Sequence, residues 1–361
     1  MKKYYFTSES VTEGHPDKIC DKISDKILDE ALSVDPDSRI AIEATIKDNL
    51  VFLCGEATTK AEIDYKRIVK DVLKDIGYNE EFNVIIKISE QSSEINSAVE
   101  KEKICAGDQG IMFGYACNET KELMPLPIML ANRLAKKLTE VRKEELNSFL
   151  LPDGKVQVTV EYENDQPVRV DTIIIACQHK AGISSETLEN YIKTKVILDV
   201  LSADLCDENT KIMINTGGSF ILGGPFADSG TTGRKIVVDT YGGMGRVGGG
   251  CFSSKDPSKV DRSAAYYARY VARNIVSHGF ADRAEIGLAY AIGQENPISI
   301  IIETFGTNKI EISEIENYVY DNFDFSVDNI IKELDLKRPI YYDLACYGHF
   351  GRGGYSWEKD K

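Results

Sequence analysis

The stretch His15-Pro16-Asp17-Lys18-Ile19-Cys20-Asp21-Lys22-Ile23-Ser24-Asp25-Lys26-Ile27-Leu28-Asp29-Glu30-Ala31 reads as the opening of a helix. Pro16 suits a first helical position, where a missing N–H costs nothing, and Ile19, Ile23, Ile27 and Ala31 then recur at i, i+4 spacing. Strand-like runs follow at Arg39–Lys47 and Leu50–Glu56, then a helix near Glu62–Asp75. The same succession occurs twice more. A helix from about Pro127 to Glu145, with Met129, Leu130, Leu134 and Leu138 on its buried side, precedes strands at Lys155–Glu161 and Val168–Cys177 and a helix near Ser185–Leu198. A helix starting near Pro257, carrying Ala264, Ala265, Ala268, Val271, Ala272 and Ile275, precedes strands at Glu285–Ile292 and Ile298–Thr304 and a helix near Ile312–Phe323. The strands alternate apolar and polar residues, as in Gln157-Val158-Thr159-Val160, so each sheet keeps one wet face or edge. The period is far too long for a solenoid. The repeat predicts an α+β protein of three similar domains, divided at 1–100, 101–222 and 223–361, each with helices on one sheet face.

Composition narrows the class. A chain of 361 residues with 42% hydrophobic and 28% charged residues is an ordinary globular protein of more than one domain. No apolar run reaches the roughly 20 residues of a membrane span, and the opening residues hold no signal-peptide core. The eight cysteines are scattered with no Cys-x-x-Cys pair, which suits reduced thiols and a cytoplasmic location. A formal net charge of −15 disfavours nucleic acid and anionic membranes as partners. It leaves room for an anionic small ligand wherever Lys and Arg cluster.

Such clusters exist, and two stand where helices begin. Gly14-His15-Pro16-Asp17-Lys18 lies at the first helix N-terminus, where free N–H groups and the positive dipole end favour an anion. There His15 could meet a phosphate and Asp17 a metal beside it, although Asp17 also reads as an ordinary acidic first-turn residue and His15 as a flanking loop residue. Gly248-Gly249-Gly250-Cys251-Phe252-Ser253-Ser254-Lys255-Asp256-Pro257-Ser258-Lys259-Val260-Asp261-Arg262 leads glycines into a turn of hydroxyls and cations and then into the third helix. Two ammonium groups, Lys255 and Lys259, with the Asp261 carboxylate suit a polyphosphate carrying Mg²⁺. Between these segments, Asp228-Ser229-Gly230-Thr231-Thr232-Gly233-Arg234-Lys235 sets an Arg–Lys pair before an expected strand at Ile236–Asp239. Residues 215–250 hold 12 of the 28 glycines, which reads as backbone brought close to a ligand.

Competing signatures fare worse. There is no Walker A sequence. Gly243-Met244-Gly245-Arg246-Val247-Gly248 fits G-x-G-x-x-G but leads into more loop rather than a helix, so a dinucleotide fold fails its context test. None of the histidines is spaced to serve a nucleophile, and His278 before Gly279 reads as a helix C-terminus.

Taken together, these segments resemble the methionine adenosyltransferases, or S-adenosylmethionine synthetases. The likeness runs through residues 6–18, Ala106-Gly107-Asp108-Gln109-Gly110-Ile111-Met112-Phe113-Gly114-Tyr115, Thr232–Lys235, Asp239-Thr240-Tyr241-Gly242-Gly243 and Lys255–Ser263. It implies three α+β domains related by pseudo-threefold symmetry, in a homodimer or dimer of dimers with active sites between subunits. It further implies synthesis of S-adenosylmethionine from ATP and L-methionine, with the triphosphate released and hydrolysed to phosphate and pyrophosphate. By the same resemblance His15 lies at the triphosphate, where the 5′ oxygen leaves. Asp17 and Asp261 hold two Mg²⁺ ions and Glu43 a K⁺. Lys155, Arg234, Lys235, Lys255 and Lys259 neutralise phosphates, with Lys259 also near methionine. Glu56, Gln91 and Asp108 orient methionine. Asp153, Phe220, Asp228 and Cys251 line the nucleotide and substrate pocket, and 91–103 is a mobile loop over the site.

This chain departs from the family pattern in places. Asn215-Thr216-Gly217-Gly218-Ser219-Phe220 stands where many relatives carry Asn-Pro-Thr-Gly-Arg-Phe, so an arginine of the nucleotide site is absent. Cys251 and Ser254 replace smaller residues, and the loop between Gln91 and Asp108 is shorter and lacks glycines and proline before Cys105. A nucleotide-binding regulatory subunit without turnover is the rival reading, opposed by the intact His15, Asp17, Lys155, Arg234, Lys255 and Asp261.

Overall fold

The structure is a computed structural model and describes residues 2–91, 103–145 and 148–361. Most of the loop expected to cover the site, 92–102, lies outside the described residues.

Eleven strands form three sheets among the described residues. Helix α1 (Pro16–Val34) and helix α2 (Tyr65–Ile76) accompany a sheet of β2 (Arg39–Lys47), β3 (Leu50–Thr58) and β4 (Asn83–Ser89). Helix α3 (Leu126–Glu144) and helix α4 (Ser185–Ile192), prolonged by a π turn, accompany β6 (Leu150–Glu163), β7 (Gln166–His179) and β8 (Lys211–Ile214). Helix α5 (Val260–Ser277), with α6 (Ile312–Asn322) and α7 (Val327–Glu333), accompanies β10 (Arg283–Tyr290) and β11 (Ser299–Glu303). In the first two units a hairpin is followed by a helix and then a strand parallel to its second member. The repeated unit read from the sequence is therefore the unit that folds.

Local chemistry sets the boundaries. Pro16 begins α1 as expected. The Asp64 side chain caps α2 by accepting the Arg67 N–H at 3.0 Å, and Gly77 ends it in a left-handed conformation at φ 113°. At the end of α5, His278 is the C-cap.

Five strands, β4 and β8 among them, were not visible in the sequence pattern, and the other three knit the molecule together. β1 (Lys3–Val11) lies before α1 yet pairs with β6 along Lys3↔Glu163 to Val11↔Lys155. β5 (Gly110–Cys117), before α3, pairs with β10, and the short β9 (Gly230–Thr231), before α5, pairs with β2. Each third of the chain thus lends one edge strand to the sheet of the next in a closed cycle, first to second, second to third and third to first. One core runs through the first and third units, from Ile19, Ile23 and Ile27 of α1 to Val271 and Ile275 of α5. A second fills the central unit around Leu134, Val158 and Ile173.

One expectation fails. Residues Ile236–Asp239 form a single helical turn, not a strand. The β-branched run favours a strand locally. Asp239, however, is buried and ion-paired to Lys18 of α1, and its N–H donates to the Lys235 carbonyl at 2.9 Å. Tertiary contacts curl the segment, and the glycine pattern after it accordingly follows no strand.

The small residues of α5 let it lie directly on β5. A Cβ added at Gly114 would fall 2.0 Å from the Ala268 carbonyl carbon. Gly114→Ala is expected to push α5 off the sheet and cost on the order of 1–3 kcal/mol, read as a lower urea midpoint at unchanged slope.

Candidate active site

The N-terminus of α1 forms one wall. His15 is its N-cap, and its Nδ1 accepts the Asp17 N–H at 3.2 Å, which leaves the proton of the neutral ring on Nε2. Burial, with the positive charge of Lys235, pulls the imidazole down to about 4, so it is neutral at physiological pH. Lys155 and Asp228 also act on it electrostatically, which puts both on the same side of the molecule. Lys155 itself pairs with Glu9 at 2.7 Å.

Asp17 is almost wholly buried. Its Oδ1 accepts the Thr231 N–H at 3.0 Å and its Oδ2 the Lys235 ammonium at 2.6 Å, with Arg234 Nε 3.7 Å from Oδ1. Burial works against its charge, but Lys235 and the Thr231 N–H outweigh it and hold the carboxyl below its usual range. Arg234 remains half-exposed and free to meet a ligand.

The second wall is the turn before α5. Lys255 bridges to Ala41 of β2 and places its ammonium 2.5 Å from Asp261 Oδ2, in the first turn of α5. Lys259, the N-cap residue, reaches the buried Asp256 carboxylate at 2.5 Å. Asp256 also accepts the Ile40 N–H at 2.8 Å and both the N–H and hydroxyl of Ser258, which ties the turn to β2. The two walls touch at Gly233 and Cys251. Gly233 has φ +81°, and a Cβ there would fall 2.6 Å from that of Cys251.

Other expected residues lie around this pair of walls. Asp153 Oδ2 accepts the Gly224 N–H at 2.8 Å, and burial raises its carboxyl to about 6. It adjoins Pro152, which packs on Gly14. Phe220 packs on Gly223, which also faces Gln178. Asp108 is exposed, one residue beyond Gly107, whose N–H donates to the Ser258 carbonyl at 3.3 Å. Glu43 and Glu56 form no ion pair with these cations among the described residues. They share the open face of the first sheet, where Ala41 pairs with Glu56 and Glu43 with Cys54. Gln91 sits at the end of that sheet, its N–H on Thr58 Oγ1 at 3.3 Å.

Compared with known families, the chain matches the S-adenosylmethionine synthetase N-terminal domain over residues 3–102, the central domain over 103–220 and the C-terminal domain over 222–359. The chain belongs to the S-adenosylmethionine synthetase family. It has that family's three-domain α+β architecture and methionine adenosyltransferase activity, making S-adenosylmethionine from ATP and methionine. No helix among the described residues of this synthetase is long and apolar enough to cross a membrane, and all eight cysteines are free thiols.

Sequence reading passed over the residues that hold the walls in place. Asp25 of α1 receives the Arg262 guanidinium on both oxygens at 2.8 and 2.7 Å, plus the Ser253 hydroxyl and the Ser254 N–H. Asp29 accepts the N–H groups of Tyr341 and Tyr342. The available signal was the spacing: like charges at 17, 21, 25 and 29 stack at i+4 and disfavour an isolated helix, so they need external partners.

Two outcomes follow. Asp25→Ala strands the buried Arg262 charge and is expected to destabilise the fold by about 3–5 kcal/mol in denaturant unfolding. In NMR titration His15 is expected to show a midpoint near 4 and the Nε2–H tautomer above it. The unfolded chain takes up that proton nearer 6.5, so this residue lowers stability progressively as pH falls from about 6.5 to 4. A His15 midpoint near 6.5 would refute the buried neutral ring.

Proposed function

We propose that the two walls hold the triphosphate of ATP while methionine attacks the ribose. The observation that carries this reading is the convergence of Arg234, Lys235, Lys255 and two lone carboxylates, Asp17 and Asp261, on two helix N-termini in contact through Gly233 and Cys251.

The reaction forms a bond from the methionine sulfur to C5′ and breaks C5′–O5′, with the electron pair leaving on the triphosphate. Sulfur loses no proton, so no general base is required. Alignment and stabilisation of the leaving oxygen are what the protein must supply. His15 is suited to the second task, because a neutral ring with its proton on Nε2 can donate to the 5′ oxygen. Arg234 offers a planar fork to phosphate oxygens, and Lys235, Lys255 and Lys259 offer point charges, with Lys155 adding to the field. Asp153, Phe220, Asp228 and Cys251 would contact the nucleoside or the substrate junction. Glu56, Gln91 and Asp108 would orient methionine. The same cations would retain the triphosphate for hydrolysis to phosphate and pyrophosphate.

The donor set fits two Mg²⁺ ions. This cation is usually held by one or two carboxylates plus substrate phosphates, and Asp17 and Asp261 are single carboxylates now charge-balanced by lysines that a phosphate could draw away. When bound, Mg²⁺ would neutralise charge on the phosphate oxygens, and K⁺ at Glu43 would add a fixed positive field.

A homodimer, alone or paired into a tetramer, with the site between subunits suits the first sheet. Its open face carries the exposed Leu50, Phe52 and Ile85 beside Glu43 and Glu56, so a second copy on this face would enclose the methionine side. Free thiols suit a cytoplasmic setting.

The test is incubation of the purified protein with ATP, methionine, Mg²⁺ and K⁺. S-Adenosylmethionine with phosphate and pyrophosphate is expected, and ATP binding without product would overturn the reading. Asp261→Asn is expected to raise the Mg²⁺ concentration for half-maximal rate about tenfold or more, and an unchanged Mg²⁺ profile would remove Asp261 from the metal site.

A further inference from the structure

Beneath the Arg234–Lys235 pair lies a sealed set of charges that no substrate can reach. Lys18 and Asp21 are 0% exposed and Asp239 is 3% exposed. Asp21 Oδ1 accepts the Gly233 N–H at 2.8 Å, and its Oδ2 accepts the Lys18 ammonium at 2.9 Å. The same ammonium ion-pairs with Asp239. The segment bearing Arg234 and Lys235 is therefore fastened at its first residue by Asp21 and at its last by Lys18. Asp239 is held from a further side, because its carbonyl accepts the His349 N–H at 2.9 Å.

We propose that Lys18 and Asp21 are positioning residues for the Arg234–Lys235 phosphate clamp, acting through Gly233 and Asp239 without contacting substrate. The proposal rests on the reading of the site given above and adds the device that fixes its geometry.

Two physical points carry it. An interior needing only burial at this place would be served at least as well by apolar side chains, since desolvating a lysine and two carboxylates is costly before pairing offsets it. What apolar packing cannot supply is direction. Here one carboxylate oxygen fixes a backbone N–H immediately before the clamp, and one ammonium joins the two ends of the segment. The second point is where the clamp needs help. Gly233 has a left-handed φ of +81°, and the side chains it precedes stand on a seven-residue span, 233–239, with one helical turn at its end. Such a span drifts unless both ends are fixed, and displacement of a catalytic group by about 1 Å can cost on the order of 100-fold in rate.

The test uses Asp21→Asn and Asp239→Asn in the full-length enzyme, both equal in shape to the native residue. An amide at position 21 can serve either Gly233 or Lys18 with its oxygen but not both. The expected result is a drop of about 10- to 100-fold in kcat for S-adenosylmethionine formation and in hydrolysis of added tripolyphosphate. KM for methionine should stay within about twofold, because Glu56 and Gln91 are bonded to none of Lys18, Asp21, Gly233 and Asp239 among the described residues. Rates per folded molecule equal to wild type, with activity lost only in proportion to lost circular dichroism, would reduce the set to a structural role and overturn the proposal. So would a methionine KM that shifts as much as kcat. Should Asp21→Asn fail to fold, Asp239→Asn decides alone by the same readouts. A wild-type enzyme that forms product but ignores added tripolyphosphate would sink the phosphate reading of the clamp itself, a failure separable from that of the positioning role.

Discussion

Four aspartates of one helix hold this molecule together. Asp17, Asp21, Asp25 and Asp29 of α1 are buried at i+4 spacing, and each accepts backbone N–H groups from the last third of the chain: Thr231, Gly233, Ser254, and the Tyr341–Tyr342 pair. A row of like charges inside a protein is unfavourable alone, through mutual repulsion and lost hydration. Here it is offset by hydrogen bonds to the charged oxygens and by Lys18, Lys235 and Arg262. The consequence reaches the chemistry directly, because the segments gripped by Asp17, Asp21 and Asp25 are the ones that carry the cations.

The exchange of edge strands gives the row its context. Because β9 reaches back to β2 while β1 reaches forward to β6, Lys155 is brought within electrostatic range of His15, and Lys255 is bridged to β2 beside them in the fold. Most of these pairings join residues more than a hundred positions apart, so the cations meet only once the whole chain is in place. Such long-range closure is entropically costly during folding and favours slow, cooperative assembly. An acidic protein with net charge −15 thereby gathers positive charge at one place.

That place suits a reaction whose difficulty lies in the leaving group. A thioether nucleophile needs no deprotonation, and along this wall the His15 ring is neutral with its proton on Nε2 while Asp17 is held ionised by its neighbours. Cys251, which this chain carries in the glycine turn, sits where the two walls touch at Gly233. Its thiol is pushed up by burial and stays protonated, so it fills space between the walls rather than acting as a nucleophile.

Much of this was legible in the sequence. Helical periodicity located α1, α3 and α5, strand alternation located the hairpin of each of the three units, and Pro16 and Gly279 marked helix ends, because these are properties of neighbouring residues. Glycines followed by Arg–Lys, and Lys-x-x-x-Lys before a helix, marked a candidate phosphate site for the same reason. The sequence could not show that β1, β5 and β9 belong to sheets built by other segments, since strand partners are chosen by surfaces far away in the chain. It misled at Ile236–Asp239, where the pull of Lys18 on Asp239 overrides a strand-forming run. Nor did it show that the aspartates of α1 are buried and fasten the loops that carry the cations. Local order is written in short-range spacing. Which charges are buried, and what they hold, is decided only when the thirds of the chain close on one another.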